Sequence, residues 1–266
     1  MSDHEPQPSA SWLSRIREST EAAQSTEPAQ ANEDVGAPFA EAVAGANALE
    51  PFIVALDDPH SAAAEQYRVL AVRLEGLWKQ PDFQKVAITS ALQGEGKSLT
   101  TINVACVLAK DFGRRVLVMD ADFRKPSLWR FVGDAPSAGL SDIVTNGQAL
   151  DSVVRPLRYR HLGILGVGLS TLNPTRLWRS QAIKQLFSFL GHQYDYLIVD
   201  TPPVLSVVDA TLIADLMDGV VMVVRSGRTP RVALQKALAS LPRAKLVGTV
   251  LNDAKDIRSS RYYHVR

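Results

Sequence analysis

Residues 85–103 read KVAITSALQGEGKSLTTIN: a short β-branched run, a loop carrying two glycines, then an apolar-periodic stretch of helical spacing. Strand, glycine-bearing loop and helix in that order is the setting in which a phosphate-loop pattern acquires physical meaning. Gly94 and Gly96 let the backbone turn successive amides inward, and the helix that follows starts with its positive dipole end at the same place. Lys97 then brings an ammonium group to the β and γ phosphates of a nucleotide, and Ser98 offers a hydroxyl to magnesium. Gln93, Gly94, Glu95, Gly96, Lys97, Ser98 and Leu99 are therefore the expected nucleotide contacts. Ala91 stands where the pattern usually opens with glycine, and a loop start accommodates so small a residue.

Around this unit the chain alternates apolar β-rich runs with helical segments. RVLVMD, LGILGV, YLIVD, GVVMVV and KLVGTVL read as further strands, and helical patterns cover 179–190, 206–216 and 230–240. Such alternation predicts an α/β fold of the P-loop NTPase kind, a doubly wound, mostly parallel sheet with helices on both faces. A helix over Ser61–Trp78 precedes the sheet, with Tyr67, Leu70, Leu74, Leu77 and Trp78 at spacings of three and four. The stretch from Phe123 to Arg160 is less regular and is expected to be a lid or a partner-contacting region.

Two further carboxylate groups lie just past the ends of apolar strands, where open parallel sheets bind ligands. VLVMDADFRKP supplies Asp120 and Asp122, and YLIVDTPP supplies Asp200. Carboxylates so placed can hold magnesium through its waters and orient an attacking hydroxyl. Either group alone could be a helix cap or a turn residue; together with the loop they point to phosphoryl chemistry. Arg225 and Asn252 follow late strands, where adenine contacts are expected.

Composition sets the outer limits. Of 266 residues, 46% are hydrophobic and 21% charged, ordinary globular usage. No uncharged apolar run approaches the roughly 20 residues of a membrane-crossing helix, and the start MSDHEPQPSA has none of the marks of a secretory signal. The single cysteine, Cys106, sits in an apolar helical stretch and reads as a core thiol in a reducing compartment. Residues 1–50 carry nine acids against two bases, Arg15 and Arg17, so the net charge of +1 conceals a basic remainder. Phosphates account for part of that balance, an acidic partner or anionic membrane could use the rest, and solvated surface charge is the plainer reading for most of these positions. The same fifty residues are poor in large apolar side chains and read as a disordered extension, apart from Trp12, Leu13 and Ile16 on one helical face. The expected organisation is this extension, a P-loop kinase domain over 51–255, and a flexible tail over 256–266.

These motifs resemble those of the bacterial tyrosine kinases. The loop is similar to their Walker A motif, VLVMDADFRKP to A′ and YLIVDTPP to Walker B, and the likeness runs from about Ser61 to the end. The resemblance implies an ATP- and Mg2+-dependent enzyme that phosphorylates tyrosines in its own C-terminal tail. On that basis Lys97 holds the β and γ phosphates, Ser98 coordinates magnesium, Asp122 and Asp200 hold the metal through water, and Asp120 accepts the tyrosine proton. Arg124 would contact phosphate or a neighbouring subunit. The tail ends RSSRYYHVR, so Tyr262 and Tyr263 are the implied acceptors.

The family's oligomerisation motif, a glutamate followed by arginines three and six positions on, is matched by Glu65 and Arg68 but has Ala71 at its last place. A homo-oligomer therefore stays open, with an ordinary helix packed on its own domain as the competing reading. The family's separate, non-spanning form works with an integral membrane regulator of exopolysaccharide or capsule export. That implies a cytoplasmic protein recruited to the inner face of the plasma membrane, with no nucleic acid partner. A non-kinase nucleotide-switch scaffold is the alternative. So is a partitioning or cell-division ATPase, against which stands Leu92 where those proteins carry a signature lysine.

Overall fold

The apolar runs form one seven-stranded sheet of order β3-β4-β2-β5-β1-β6-β7 in the computed structural model. The structure describes residues 53–79, 83–131, 133, 138–157, 159–168 and 173–254. The expected N-terminal extension, its Trp12, Leu13 and Ile16 face, and Tyr262 and Tyr263 lie outside the described residues. The strands are β1 (Lys85–Ser90), β2 (Val116–Asp120), β3 (Arg155–Leu157), β4 (Tyr159–Leu165), β5 (Tyr196–Asp200), β6 (Gly219–Arg225) and β7 (Leu246–Asn252). All neighbours pair in parallel except β3, which runs antiparallel to β4. β3 is short, contains Pro156 and lies at the edge, where a residue without an N–H costs the ladder least.

Helices cover both faces. In chain order they are α1 (Val54–Asp57), α2 (Ala62–Trp78), α3 (Lys97–Asp111), α4 (Leu140–Asn146), α5 (Leu150–Val153), α6 (Pro174–Arg179), α7 (Gln181–Gln193), α8 (Asp209–Leu216) and α9 (Arg231–Ala239). The period of two along each strand divides the core: Val86, Ile88, Val116, Val118 and Ile198 pack with α2 and α3, whereas Ala87, Leu117, Met119, Leu197 and Val199 pack with α4, α6, α7 and α8. A large apolar side chain fully buried in this way contributes about 1.5–3 kcal/mol. That is why the central strands are apolar at nearly every position.

The helical patterns at 179–190, 206–216 and 230–240 become α7, α8 and α9 within a few residues, and the Ser61–Trp78 pattern becomes α2, capped by the Ser61 hydroxyl accepting from the Ala64 amide. Phe123–Arg160 departs from expectation. Leu128, Phe131, Leu140, Ile143, Val153 and Leu157 are buried in the core, so much of the stretch is part of the domain's packing. Its short elements, a 3-10 turn over Leu128–Phe131 with α4, α5 and β3, are too brief to show a period in the sequence.

In α2, Ala71 is fully buried and packs with Leu74 and Trp78 against α3. Arg68 is engaged within the chain, donating to Asp111, Glu65 and the carbonyl of Pro59. The two matched positions of the oligomerisation-like motif thus satisfy each other on their own domain. No helix among the described residues is long and apolar enough to cross a membrane.

Candidate active site

β2, β5 and β1 lie side by side, so the sheet delivers Asp120, Asp200 and the loop after Ser90 to one edge. The register pairs Asp120 with Asp200 across β2 and β5, and Ile88 with Asp200 across β1 and β5. Groups such as Ser98 and Asp200, 102 residues apart in the chain, therefore meet in one cluster at the strands' carboxyl ends, as parallel sheets allow.

The loop adopts the conformation that its glycines allow. Gly94 has φ +79° and Gly96 φ +94°, and Gly96 directly precedes Lys97, the first residue of α3. Lys97 is 9% exposed, with Nζ 3.6 Å from Asp122 Oδ2, 3.5 Å from Asp200 Oδ2 and 3.3 Å from Ser98 Oγ. The Ser98 hydroxyl donates to Asp200 Oδ2 at 2.5 Å. A cavity of about 510 Å³ opens over this cluster, within the range of small-molecule sites. Gln93, Gly94, Gly96, Lys97, Ser98 and Leu99 line one side and Asp122 the floor.

The wall facing the loop escaped the sequence reading. Lys125, Ser127, Arg130 and Phe131 form it, and the Ser127 hydroxyl donates to Ser98 Oγ at 2.8 Å. These residues follow the A′ aspartates directly in FRKPSLWRF, so their proximity in sequence was the available signal.

Asp120, the proton acceptor that the resemblance implies, is held by backbone amides in this structure. It is 1% exposed; Oδ1 accepts from the Asp122 amide at 3.0 Å, and Oδ2 accepts from the Ser127 and Leu128 amides at 2.8 and 3.0 Å. Both oxygens thus shape the turn that carries Asp122 and the basic wall, and Asp120 does not line the cavity. Burial raises its pKa, opposed by those three amides. Asp122 presents its carboxylate to Lys97 while Oδ1 accepts from the Lys125 amide. Arg124 turns instead towards Asp209, with Nε 3.6 Å from Oδ2, and Thr175 donates to the other oxygen of that carboxylate. Arg225 and Asn252 reach the loop itself: Arg225 donates to the Gly94 carbonyl and Asn252 to that of Glu95.

A divalent cation fits this arrangement. Asp200 is wholly buried, and its Oδ1 has no hydrogen-bond partner, an unsatisfied acceptor of the kind a metal or its water completes. Among the described residues no group of three or more His, Cys, Asp or Glu side chains is arranged to hold a metal by itself. Magnesium suits such a site, since it takes one or two carboxylates, keeps water and draws its other oxygens from phosphates.

Burial pushes Asp200 up to about 7; the nearby Asp120 and Asp122 charges add to this, and the Lys97 ammonium and Ser98 hydroxyl oppose it. The unfolded group titrates near 3.8. The folded chain therefore holds a proton that the unfolded chain has released between those values, so this group's contribution to stability declines as pH rises from about 4 to about 7. Asp200→Asn removes the slope. In nucleotide-free protein with a chelator, the unfolding midpoint of Asp200→Asn should gain on wild type from about pH 5 to about pH 8.

Known proteins give the same picture. A family model for ParA, described as NUBPL iron-transfer P-loop NTPase, matches residues 83–254. The chain is 34% identical over 212 residues to tyrosine-protein kinase YwqD of Bacillus subtilis (strain 168), covering 79% of this chain and 89% of that protein. It is 32% identical over 204 residues to the succinoglycan biosynthesis transport protein ExoP of Rhizobium meliloti (strain 1021), covering 75% of this chain and 26% of that protein. The crystal structure of the chimerical protein CapA2B2 superposes with a TM-score of 0.70 at 30% identity, over 75% of this chain and 88% of that one. A phosphate loop with strand-tip carboxylates around its lysine, and a named kinase aligned along nearly its whole length, lead to one assignment: the chain belongs to the bacterial tyrosine-protein kinase family of P-loop nucleotide-binding proteins.

Proposed function

We propose that the protein is an ATP- and Mg2+-dependent tyrosine autokinase that phosphorylates Tyr262 and Tyr263 of a neighbouring copy and serves exopolysaccharide or capsule export. The observation that carries this is the cluster in which Lys97, Ser98 and Asp122 line one cavity together with the basic Lys125 and Arg130, while the buried Asp200 lies behind them in contact with Lys97 and Ser98. The loop amides and Lys97 hold the polyphosphate. Ser98 and Asp200 hold magnesium, which neutralises charge on the β and γ phosphates when bound. The acceptor oxygen forms a bond to the γ phosphorus as the bond from that phosphorus to the bridging oxygen breaks. ADP leaves, and the phenolic proton passes to Asp122, the carboxylate that faces the cavity. Asp120 acts by holding the turn. Positioning and charge neutralisation supply most of the acceleration, so no covalent step on the enzyme is needed.

The polysaccharide setting is supported by relatives such as ExoP, named for succinoglycan biosynthesis transport. In this reading an integral membrane regulator recruits the protein to the cytoplasmic face of the membrane. A nucleotide-switch scaffold is the second reading, favoured by the internally satisfied Glu65 and Arg68 and by the tail's having only two tyrosines. The partitioning-ATPase reading loses ground because Leu92, at the signature-lysine position, packs on the core.

Phosphotyrosine mapping by mass spectrometry separates them. The full chain is incubated with ATP and magnesium, with and without the membrane partner's cytoplasmic segments. Phosphate on Tyr262 and Tyr263 is expected; unmodified tyrosines in the presence of a partner shown to bind favour the scaffold.

A further inference from the structure

Glu95 lies inside the phosphate loop, yet it is 4% exposed and is not among the residues that line the cavity. Its Oε2 accepts from the Leu92 amide at 2.9 Å, and its Oε1 accepts from the Thr229 hydroxyl. That hydroxyl in turn accepts from the Arg225 amide at 2.9 Å. Two more bonds reach the same loop from the ends of β6 and β7: Arg225 donates to the Gly94 carbonyl at 3.1 Å and Asn252 to the Glu95 carbonyl at 2.9 Å. The other side of the Arg225 guanidinium is held by Asp253, 3.1 Å from Nε.

Peptide geometry gives these bonds a consequence. In a trans peptide the carbonyl and the next residue's N–H point in opposite directions. Holding the Gly94 and Glu95 carbonyls on Arg225 and Asn252 therefore turns the Glu95 and Gly96 amides to the opposite side of the loop, away from β6 and β7. Gly96 closes the arrangement, because a Cβ there would lie 2.0 Å from Asn252 Nδ2.

We infer that Glu95, Thr229, Arg225 and Asn252 form a brace that holds the loop in its phosphate-accepting conformation, with Glu95 and Thr229 as positioning residues for nucleotide. The inference rests on the reading of this loop as the nucleotide site. A loop held beforehand costs less to order when ligand arrives, so the brace acts on affinity through the loop without touching the nucleotide.

The test is calorimetric titration of the full chain with Mg·ATP and Mg·ADP, together with thermal unfolding of the nucleotide-free protein. Glu95→Gln replaces one acceptor oxygen with a donor, and Thr229→Val removes the hydroxyl at nearly constant volume. Each should weaken both nucleotides by about tenfold or more, as expected for losing a hydrogen bond to a charged group. Thr229→Ser keeps the hydroxyl and should bind within about threefold of wild type. This rescue identifies the hydrogen bond, because a purely steric role would leave Ser as impaired as Val. Unchanged affinity in both Glu95→Gln and Thr229→Val, or equal losses in Thr229→Ser and Thr229→Val, overturns the brace alone. Wild-type protein that binds no nucleotide overturns the reading beneath it. A wild-type chain that binds Mg·ATP but forms no phosphotyrosine removes the kinase proposal and leaves the brace standing.

Discussion

Lys97→Met is expected to lower phosphotyrosine formation by at least about a hundredfold and to weaken Mg·ATP binding, with the fold retained. Methionine preserves the length and packing of the stem and removes the ammonium, the positive charge 3.5–3.6 Å from Asp200 and Asp122. Two consequences follow. The polyphosphate loses its point charge, and two largely buried carboxylates lose the cation they both contact. Breaking a buried ion cluster by removing one partner ordinarily costs about 3–5 kcal/mol. Asp200 lessens that cost here, because its pKa near 7 lets it take up a proton close to neutrality. Activity should therefore suffer far more than stability. Titration with Mg·ATP, a phosphotyrosine assay and thermal unfolding of the same samples read the three effects separately. Phosphotyrosine at the wild-type level in Lys97→Met would exclude this cavity as its source.

Asp120→Ala should produce the largest loss of stability among the site carboxylates. Its two oxygens accept from three backbone amides, those of Asp122, Ser127 and Leu128, and all three lose their partner. With an unsatisfied buried donor costing about 1–3 kcal/mol and some access of water to the new space, we expect a loss of about 3 kcal/mol. That corresponds to a fall of about 6–12 °C in unfolding midpoint for a domain of this size. Nucleotide affinity should fall as well, since the same turn carries Asp122, Lys125 and Ser127 into the cavity wall. Asp120→Asn keeps one acceptor and should be intermediate. A free catalytic base would behave differently: its removal would cut turnover and leave both midpoint and affinity unchanged.

The fold was legible because its signals are local. Parallel strands covered on both sides must be apolar at nearly every position, and the VAI, VLVM and YLIV runs are. Glycines at positive φ announced the loop, and carboxylates at strand ends announced where a ligand would lie. What stayed hidden depends on contacts distant in sequence. Nothing in VVRSGRTP says that Thr229 will meet Glu95, 134 residues earlier in the chain, or that Asn252 will reach the loop carbonyl rather than only a base. Nor does a DAD sequence reveal which aspartate is spent on backbone amides; the turn from Phe123 to Leu128 decides that. β3 and α5 were missed because three or four residues carry no period.

The most direct measurement is a crystal structure of the full chain with magnesium and a non-hydrolysable ATP analogue. It should place the β and γ phosphates against the amides of residues 94–98 and Lys97 Nζ, with the metal beside Ser98 and Asp200. Nucleotide bound elsewhere, or a metal remote from both side chains while phosphates fill the loop, would contradict the account.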